Sequence, residues 1–145
     1  MLHNKDSHSK TDNLNAAVDY LRKNPPDYVG IYDADNRPHP DCLEHAVSYL
    51  EATKNPIVTG YIYNKELLST IYLSLMFREY ILADKYPIVS GFNSFFQWDI
   101  LDKYVINNER VAEDICYSMK LNSMNIPIIH NYHIKCPDPA PPNFK

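Results

Sequence analysis

The hydrophobic positions of this chain switch between two spacings, and each switch marks a new element. Apolar residues recur at helical spacing between Asn13 and Arg22, and a short continuous apolar run follows from Tyr28 to Tyr32. Spacings of three and four residues predict a helix, whereas a short apolar run bounded by turn residues predicts a buried strand. By the same criteria, further helices are predicted at 42–54, 66–83, 99–104 and 111–124, and further strands at 57–63, 95–96 and 126–129.

Two of these predicted helices have apolar positions that indicate an inward face. The helix at 42–54 follows Asp41, a residue type that commonly caps a helix N-terminus. Its inward face is predicted to be Leu43, Ala46, Val47 and Leu50. The inward face of the helix at 111–124 is predicted to be Ile115, Met119 and Leu121.

The alternation of strands and helices predicts an α/β fold, with a mixed, mostly parallel sheet flanked by helices. The chain has 145 residues, enough for one domain with a single core. We expect residues 1–9 to be a disordered tail and residues 10–145 to form the domain. Ligands of such sheets collect at the carboxyl ends of the strands, so the residues that follow each strand are the first candidates for function.

Composition and charge exclude several classes of function. The net charge is −4 and the lysines and arginines are scattered, which gives no basic surface for nucleic acid. The three cysteines form no Cys-x-x-Cys pair, which favours reduced, buried thiols over a zinc or redox site. No apolar N-terminal segment and no run of about 18 apolar residues is present, so we expect neither a signal peptide nor a membrane span. The expected location is cytoplasmic, with contact to the inner face of a membrane only through a longer parent or a partner.

Two acidic pairs are the candidate chemistry. Asp33 and Asp35 follow the strand at 28–32, and continued alternation would place both carboxylates on one side. Such hard oxygen ligands suit Mg²⁺ or Mn²⁺, which keep positions open for phosphate oxygens. Glu113 and Asp114 open the helix at 111–124. A metal-diphosphate site together with a base is a layout for group transfer, although an Asp-x-Asp also occurs in plain turns and Asp114 could simply cap its helix.

Two other uses of the first pair are less compatible with the neighbouring residues. A calcium EF-hand loop would use Asp33, Asp35 and Glu44, but Arg37 stands at its fifth position and Pro38 replaces the required glycine. An aspartyl-phosphate phosphatase usually has Thr or Val where this chain has Arg37. The EF-hand is therefore rejected and the phosphatase is disfavoured.

Four segments in this order resemble family-2 glycosyltransferases, most closely the synthases of bacterial polysaccharides. They are a Lys-x-x-x-Leu-Asn-x-Ala helix at 10–17, an Asp-Ala-Asp segment with Pro-x-x-Leu at 33–43, a Gly-x-Asn-x-x-Phe segment at 91–101 and a Glu-Asp helix at 112–121. The resemblance, which covers residues 9 to 142, implies a GT-A fold. It also implies transfer of a sugar, with inversion, from a nucleotide-sugar to an acceptor hydroxyl. A UDP-sugar is the favoured donor, the acceptor is a glycan or a lipid-linked glycan, and the pathway is polysaccharide or cell-surface glycan synthesis.

On the donor side, the resemblance assigns metal binding to the first acidic pair. Asp35 would bind Mn²⁺ or Mg²⁺ directly, with Asp33 nearer the ribose or a metal-bound water. Lys10 and Asn13, on the first of the four segments, would also bind the donor. The metal would offset the charge that develops on the leaving diphosphate.

On the acceptor side, the resemblance assigns the base to the second acidic pair. Asp114 would take the acceptor proton and Glu113 would orient the site or bind the acceptor. The acceptor wall would comprise Gly91, Phe92 and Asn93, with Trp98 stacking on a sugar or, equally, packing in the core.

The chain also departs from the family pattern. The family's N-terminal strand-turn-strand unit has no counterpart, and the usual Arg-Arg pair is Gln97-Trp98. The domain is thus expected to be partial, truncated at its N-terminus, with an exposed sheet edge through which a second copy associates. The alternatives are a non-catalytic remnant that oligomerises or binds a partner, and a metal-dependent phosphohydrolase. Some GT-A enzymes use a late histidine as a metal ligand, but His130 and His133 are expected to be surface residues.

Overall fold

The computed structural model describes residues 9–64, 87–91, 93–106 and 113–138. The predicted helix at 66–83 and Phe92 lie outside the described residues, as do residues 1–8 and 139–145. The helices are α1 (Lys10–Leu21), α2 (Cys42–Thr53), α3 (Trp98–Lys103) and α4 (Glu113–Ser123). The strands are β1 (Tyr28–Ile31), β2 (Ile57–Asn64), β3 (Ser94–Gln97) and β4 (Ile128–Asp138).

The described strands form one mixed sheet with the order β1-β3-β2-β4. Strand β3 pairs antiparallel with both β1 and β2, and β2 pairs parallel with β4. Strands β1, β2 and β4 therefore run in the same direction and β3 runs against them. This arrangement, with helices packed on it, confirms the predicted fold class.

The sheet carries a hydrophobic core on each face. Because side chains alternate along a strand, Phe95 and Phe96 of β3 point to opposite faces. Phe96 packs with residues of α1, α3 and α4, among them Val18, Leu101 and Tyr117. Phe95 packs with a second cluster that includes residues of α2. The elements that carry the two acidic pairs are thus joined to the same sheet.

Two helix faces differ from those predicted. In α2, Leu43 is 60% exposed, and the buried residues are Cys42, Ala46 and Leu50. In α4, Ile115 and Met119 are exposed, and the buried residues are Tyr117, Ser118 and Leu121. The face of α4 includes Ser118, a polar residue that hydrogen-bonds inside the fold, which a count of apolar positions does not detect.

The element ends differ most from the prediction in two places. Helix α1 begins at Lys10, three residues early, because the Ser9 hydroxyl accepts a hydrogen bond from the Asp12 backbone N–H at 3.1 Å. Strand β4 continues to Asp138, far beyond the apolar run that ends at Ile129, because its backbone stays paired with β2. The pairing shifts register between Gly60 and Tyr61.

The three cysteines form no disulfide with one another: Cys42 and Cys136 are buried, and Cys116 is partly exposed. Among the described residues, no helix has the length and apolar character needed to cross a membrane.

Candidate functional site

Asp33 and Asp35 lie in a turn rather than on an extended strand. Strand β1 ends at Ile31, so strand alternation does not reach the aspartates and does not place them on one side. The Asn36 backbone N–H donates to the Asp33 carbonyl at 3.1 Å, and the Asn36 side-chain oxygen accepts from the Asp33 N–H at 3.0 Å. These two hydrogen bonds hold a turn with Ala34 and Asp35 at its exposed tip, while Asp33 is half-buried.

Lys10 connects this turn to a segment distant in sequence. Its ammonium forms an ion pair with the Asp33 carboxylate and donates a hydrogen bond to the Gly91 carbonyl at 2.7 Å. Because Ser9 caps α1, Lys10 stands in the first helical turn. One side chain thus joins α1, the turn after β1 and the segment before β3.

Asp114 approaches the same place from α4. A Cβ atom built on Gly91 would lie 3.3 Å from Asp114 Oδ2 and 3.5 Å from Lys10 Nζ. Gly91 therefore lies beside both the Asp114 carboxylate and the Lys10 ammonium, and it has no side chain to occupy the space next to them. Lys10, Asp33, Gly91 and Asp114 are called the Lys10 cluster below.

Ser118 connects α4 by hydrogen bonds to the segment that contains Gly91. Its hydroxyl donates to the Asp114 carbonyl at 2.6 Å and accepts from the Val89 backbone N–H at 2.8 Å. The Asp114 carboxylate accepts through Oδ1 from the Ile115 N–H at 2.9 Å. The position of Asp114 is thus fixed by its own helix and, through Ser118, by the neighbouring segment.

Asn93, a predicted acceptor-wall residue, is fully buried and hydrogen-bonded inside the protein. Its side-chain oxygen accepts from the Tyr32 hydroxyl at 3.1 Å, and its amide donates to the Ile134 carbonyl at 3.3 Å. Its backbone has a φ of 55°, a conformation that asparagine tolerates better than most residues. A Cβ on Gly60 would lie only 2.3 Å from the Asn93 amide nitrogen, so this close approach requires a glycine.

The hydrogen bond between Tyr32 and Asn93 joins the two segments that carry Asp33 and Gly91 of the Lys10 cluster. Tyr32 directly precedes Asp33, and Asn93 stands two residues after Gly91. Burial and a hydrogen bond with the Cys42 thiol raise the pKa of Tyr32, so its hydroxyl stays protonated and donates. Sequence analysis missed Tyr32, Gly60 and Ser118, since their roles depend on partners far along the chain.

Other predicted residues lie elsewhere or at the border of the cluster. Trp98 is 8% exposed and packs in the core. It follows Gln97, which pairs with Tyr28 at the start of β1, whereas the aspartates follow the end of β1. The structure therefore does not bring Trp98 to the cluster. Asn13 is exposed on α1, and Glu113 lines the same small cavity as Lys10 and Asp114.

The two histidines after the last apolar run differ from each other. His133 is exposed, as predicted. His130 was expected at the surface, but both of its ring nitrogens are buried and have no hydrogen-bond partner in the described part of the chain. Burial lowers the pKa of His130, which favours the neutral ring.

The carboxylates fit one kind of metal site. Within the described ranges, no group of three or more His, Cys, Asp or Glu side chains could hold a metal by itself. Mg²⁺ and similar ions are often bound by one or two carboxylates together with substrate phosphates. Asp33 and Asp35 fit that arrangement, in which the metal and a diphosphate share the site, and do not form a complete protein cage.

Comparison with known proteins identifies the class. The sequence matches the family model for glycosyl transferase family 2 over residues 1–107, so the chain belongs to that family. Among curated proteins, none matches the chain.

A solved structure shows the same fold. The chain is similar to the mannosyltransferase PcManGT from Pyrobaculum calidifontis in complex with GDP-Man and Mn²⁺, with a TM-score of 0.73 and 20% identity. The similarity covers 99% of this chain and 40% of that chain, so this chain spans less than half of that protein. The predicted GT-A-like fold is therefore confirmed for a partial domain. The family match ends before Asp114, which is linked to the other site residues by geometry alone.

Proposed function

We propose that the Lys10 cluster is the active centre of a metal-dependent, inverting glycosyltransferase. The reaction moves a sugar from a nucleotide-sugar to a hydroxyl of a glycan or lipid-linked acceptor, in polysaccharide or cell-surface glycan synthesis. The observation that carries the proposal is the position of Gly91, where a Cβ atom would lie within 4 Å of both the Asp114 carboxylate and the Lys10 ammonium that pairs with Asp33. A candidate base and a candidate diphosphate site thus face one another across a residue with no side chain.

The donor half of the site is proposed at the turn after β1. Asp35, at the exposed tip, and Asp33 would hold Mn²⁺ or Mg²⁺, which would offset the charge on the leaving diphosphate. The Lys10 ammonium is a further positive group beside this position. The similar mannosyltransferase was solved with GDP-Man and Mn²⁺, which supports a nucleotide-sugar and a divalent metal here.

The acceptor half is proposed at the start of α4. Asp114 takes the proton of the acceptor hydroxyl while that oxygen attacks the anomeric carbon and the bond to the diphosphate breaks. The electron pair of that bond leaves with the diphosphate, and a single displacement inverts the anomeric centre. Glu113, beside the same cavity, would orient the acceptor.

The test of the donor half is a calorimetric titration of UDP and of GDP, each with and without Mn²⁺. We expect one nucleotide to bind with Mn²⁺, and Asp35→Asn to weaken that binding at least about tenfold. Asp41→Asn is the matched control, because Asp41 is an exposed aspartate whose side chain makes no capping hydrogen bond. Sequence resemblance favours UDP, whereas the similar structure holds a GDP-sugar, so the titration also decides the base of the donor.

The test of the acceptor half is the rate at which GDP-Man and UDP-glucose lose their sugar in the presence of Mn²⁺. Asp114→Asn should lower the rate about 10²-fold or more and leave nucleotide binding unchanged. A wild-type rate in Asp114→Asn would remove Asp114 as the base. If neither nucleotide binds the wild-type protein, the chain is instead a non-catalytic module of the family.

A further inference from the structure

A small cavity of about 20 Å³ borders the Lys10 cluster. Its walls come from α1, β1, the segment before β3 and α4, and its polar lining includes Lys10, Ser90, Asp114 and Tyr117. A space of this size holds about one water molecule, and a buried water needs two to four polar partners. The polar residues of this lining are the candidates for those partners.

Tyr117 lines this cavity and carries a polar group without a partner among the described residues. The residue is 1% exposed, and its hydroxyl oxygen is buried with no hydrogen-bond partner in the part of the chain that the structure describes. Burial raises the pKa of Tyr117, so the hydroxyl stays protonated and can donate. Leaving a buried hydroxyl unpaired is costly, and native proteins usually satisfy such groups directly or through water.

The position of Tyr117 on α4 relates it to Asp114. The two residues are three apart on the helix, so their side chains leave from neighbouring positions on one side. Asp114 Oδ1 already accepts from the Ile115 N–H, and Oδ2 faces Gly91. The Ile115 N–H restrains only Oδ1, so a further donor from the cavity to Oδ2 would add a second restraint on the carboxylate.

We propose that Tyr117 is a positioning residue for Asp114, acting through one water in this cavity. This inference rests on the proposed function, in which Asp114 is the base. The Tyr117 hydroxyl donates to the water, and the water donates to the Asp114 carboxylate, which stays directed at Gly91. Among the described residues, the other charged groups on this cavity are Lys10 from α1 and Glu113 from α4.

The experiment compares wild type with Tyr117→Phe, which removes one oxygen atom and keeps the ring that packs against Phe96 at a centroid distance of 6.3 Å. Tyr20→Phe is the control, because Tyr20 is 52% exposed. We expect a crystal structure of the wild type to show a water within hydrogen-bond distance of both the Tyr117 hydroxyl and the Asp114 carboxylate. In Tyr117→Phe, kcat for sugar transfer should fall about tenfold, with the KM for the donor unchanged.

The possible outcomes separate this inference from the proposed function. If the wild-type structure shows no such water, the inference is overturned whether or not the chain turns over a donor. If Asp114→Asn abolishes transfer but Tyr117→Phe keeps the wild-type kcat, only the role of Tyr117 is overturned. If Asp114→Asn keeps the wild-type rate, the base assignment fails and the positioning role fails with it.

Discussion

Asn93 provides the sharpest test of the structure, because its side chain cannot both hold the fold and contact an acceptor. In Asn93→Ala, the hydroxyl of Tyr32 loses its acceptor at 3.1 Å, and the Ile134 carbonyl loses its donor at 3.3 Å. Each loss leaves a buried or half-buried polar group unpaired, at about 1 kcal/mol apiece. Alanine must also adopt the φ of 55°, which costs about 1 kcal/mol more. The expected loss in free energy of unfolding is about 3 kcal/mol.

The assay is urea denaturation followed by circular dichroism, with Asn93→Gly as the matched variant. Glycine loses the same hydrogen bonds but tolerates the positive φ, so it should be more stable than Asn93→Ala by about 0.5–1 kcal/mol. The reasoning would be refuted if Asn93→Ala unfolded within about 0.5 kcal/mol of wild type. In that case Asn93 would be available for the acceptor contact that the sequence resemblance implies.

Three further predictions concern the cluster and the buried histidine. Lys10→Met should lower the free energy of unfolding by less than about 1 kcal/mol, because the side chains of its ion pair, Lys10 and Asp33, are 35% and 36% exposed. The same change should weaken Mn²⁺-nucleotide binding in calorimetry. A variant that fails to fold would show that Lys10 is needed for the structure. Gly91→Ala adds a methyl group 3.3 Å from the candidate base and should lower the transfer rate while the melting temperature changes little. An unchanged rate would argue against this position for the acceptor. Because burial lowers the pKa of His130 below its usual 6.5, the stability that depends on its neutral form is present above pH 6.5 and is lost as the pH falls further. His130→Leu should therefore lose less stability than wild type between pH 7 and about pH 5 in urea titrations, while His133→Leu should behave as wild type.

Hydrophobic spacing was sufficient to predict most elements but not which residues face inward. Strands β2 and β3 and helix α3 lie within a residue or two of their predicted ranges, because each has a short apolar run with clear ends. The face of α4 was wrong because Met119 is apolar yet exposed, whereas Ser118 is polar yet buried and bonded to Val89. A hydrogen bond across 29 positions leaves no periodic trace in the sequence.

The candidate site, like the fold, could be predicted from the sequence only in part. The motif that contains Asp33 could be seen in the sequence, but its ion pair with Lys10 could not, since the two residues meet only after α1 packs beside the sheet. Asn93 was selected by its motif, and its burial was not foreseeable from residue type, because asparagine is seldom buried. Tyr117 lies within the Glu-Asp helix segment but was not selected from it, and its role emerges only from the cavity that it lines.

The ion pair between Lys10 and Asp33 has a consequence for how the proposed metal and nucleotide would bind. The site carries one positive and four negative formal charges, from Lys10 and from Asp33, Asp35, Glu113 and Asp114. A bare diphosphate would be repelled by this net charge of −3, whereas one divalent cation would reduce it to −1. In the proposed function, the Lys10 ammonium offsets the charge of Asp33 before a cation binds. Metal and nucleotide should consequently enter as a pair, each raising the affinity for the other.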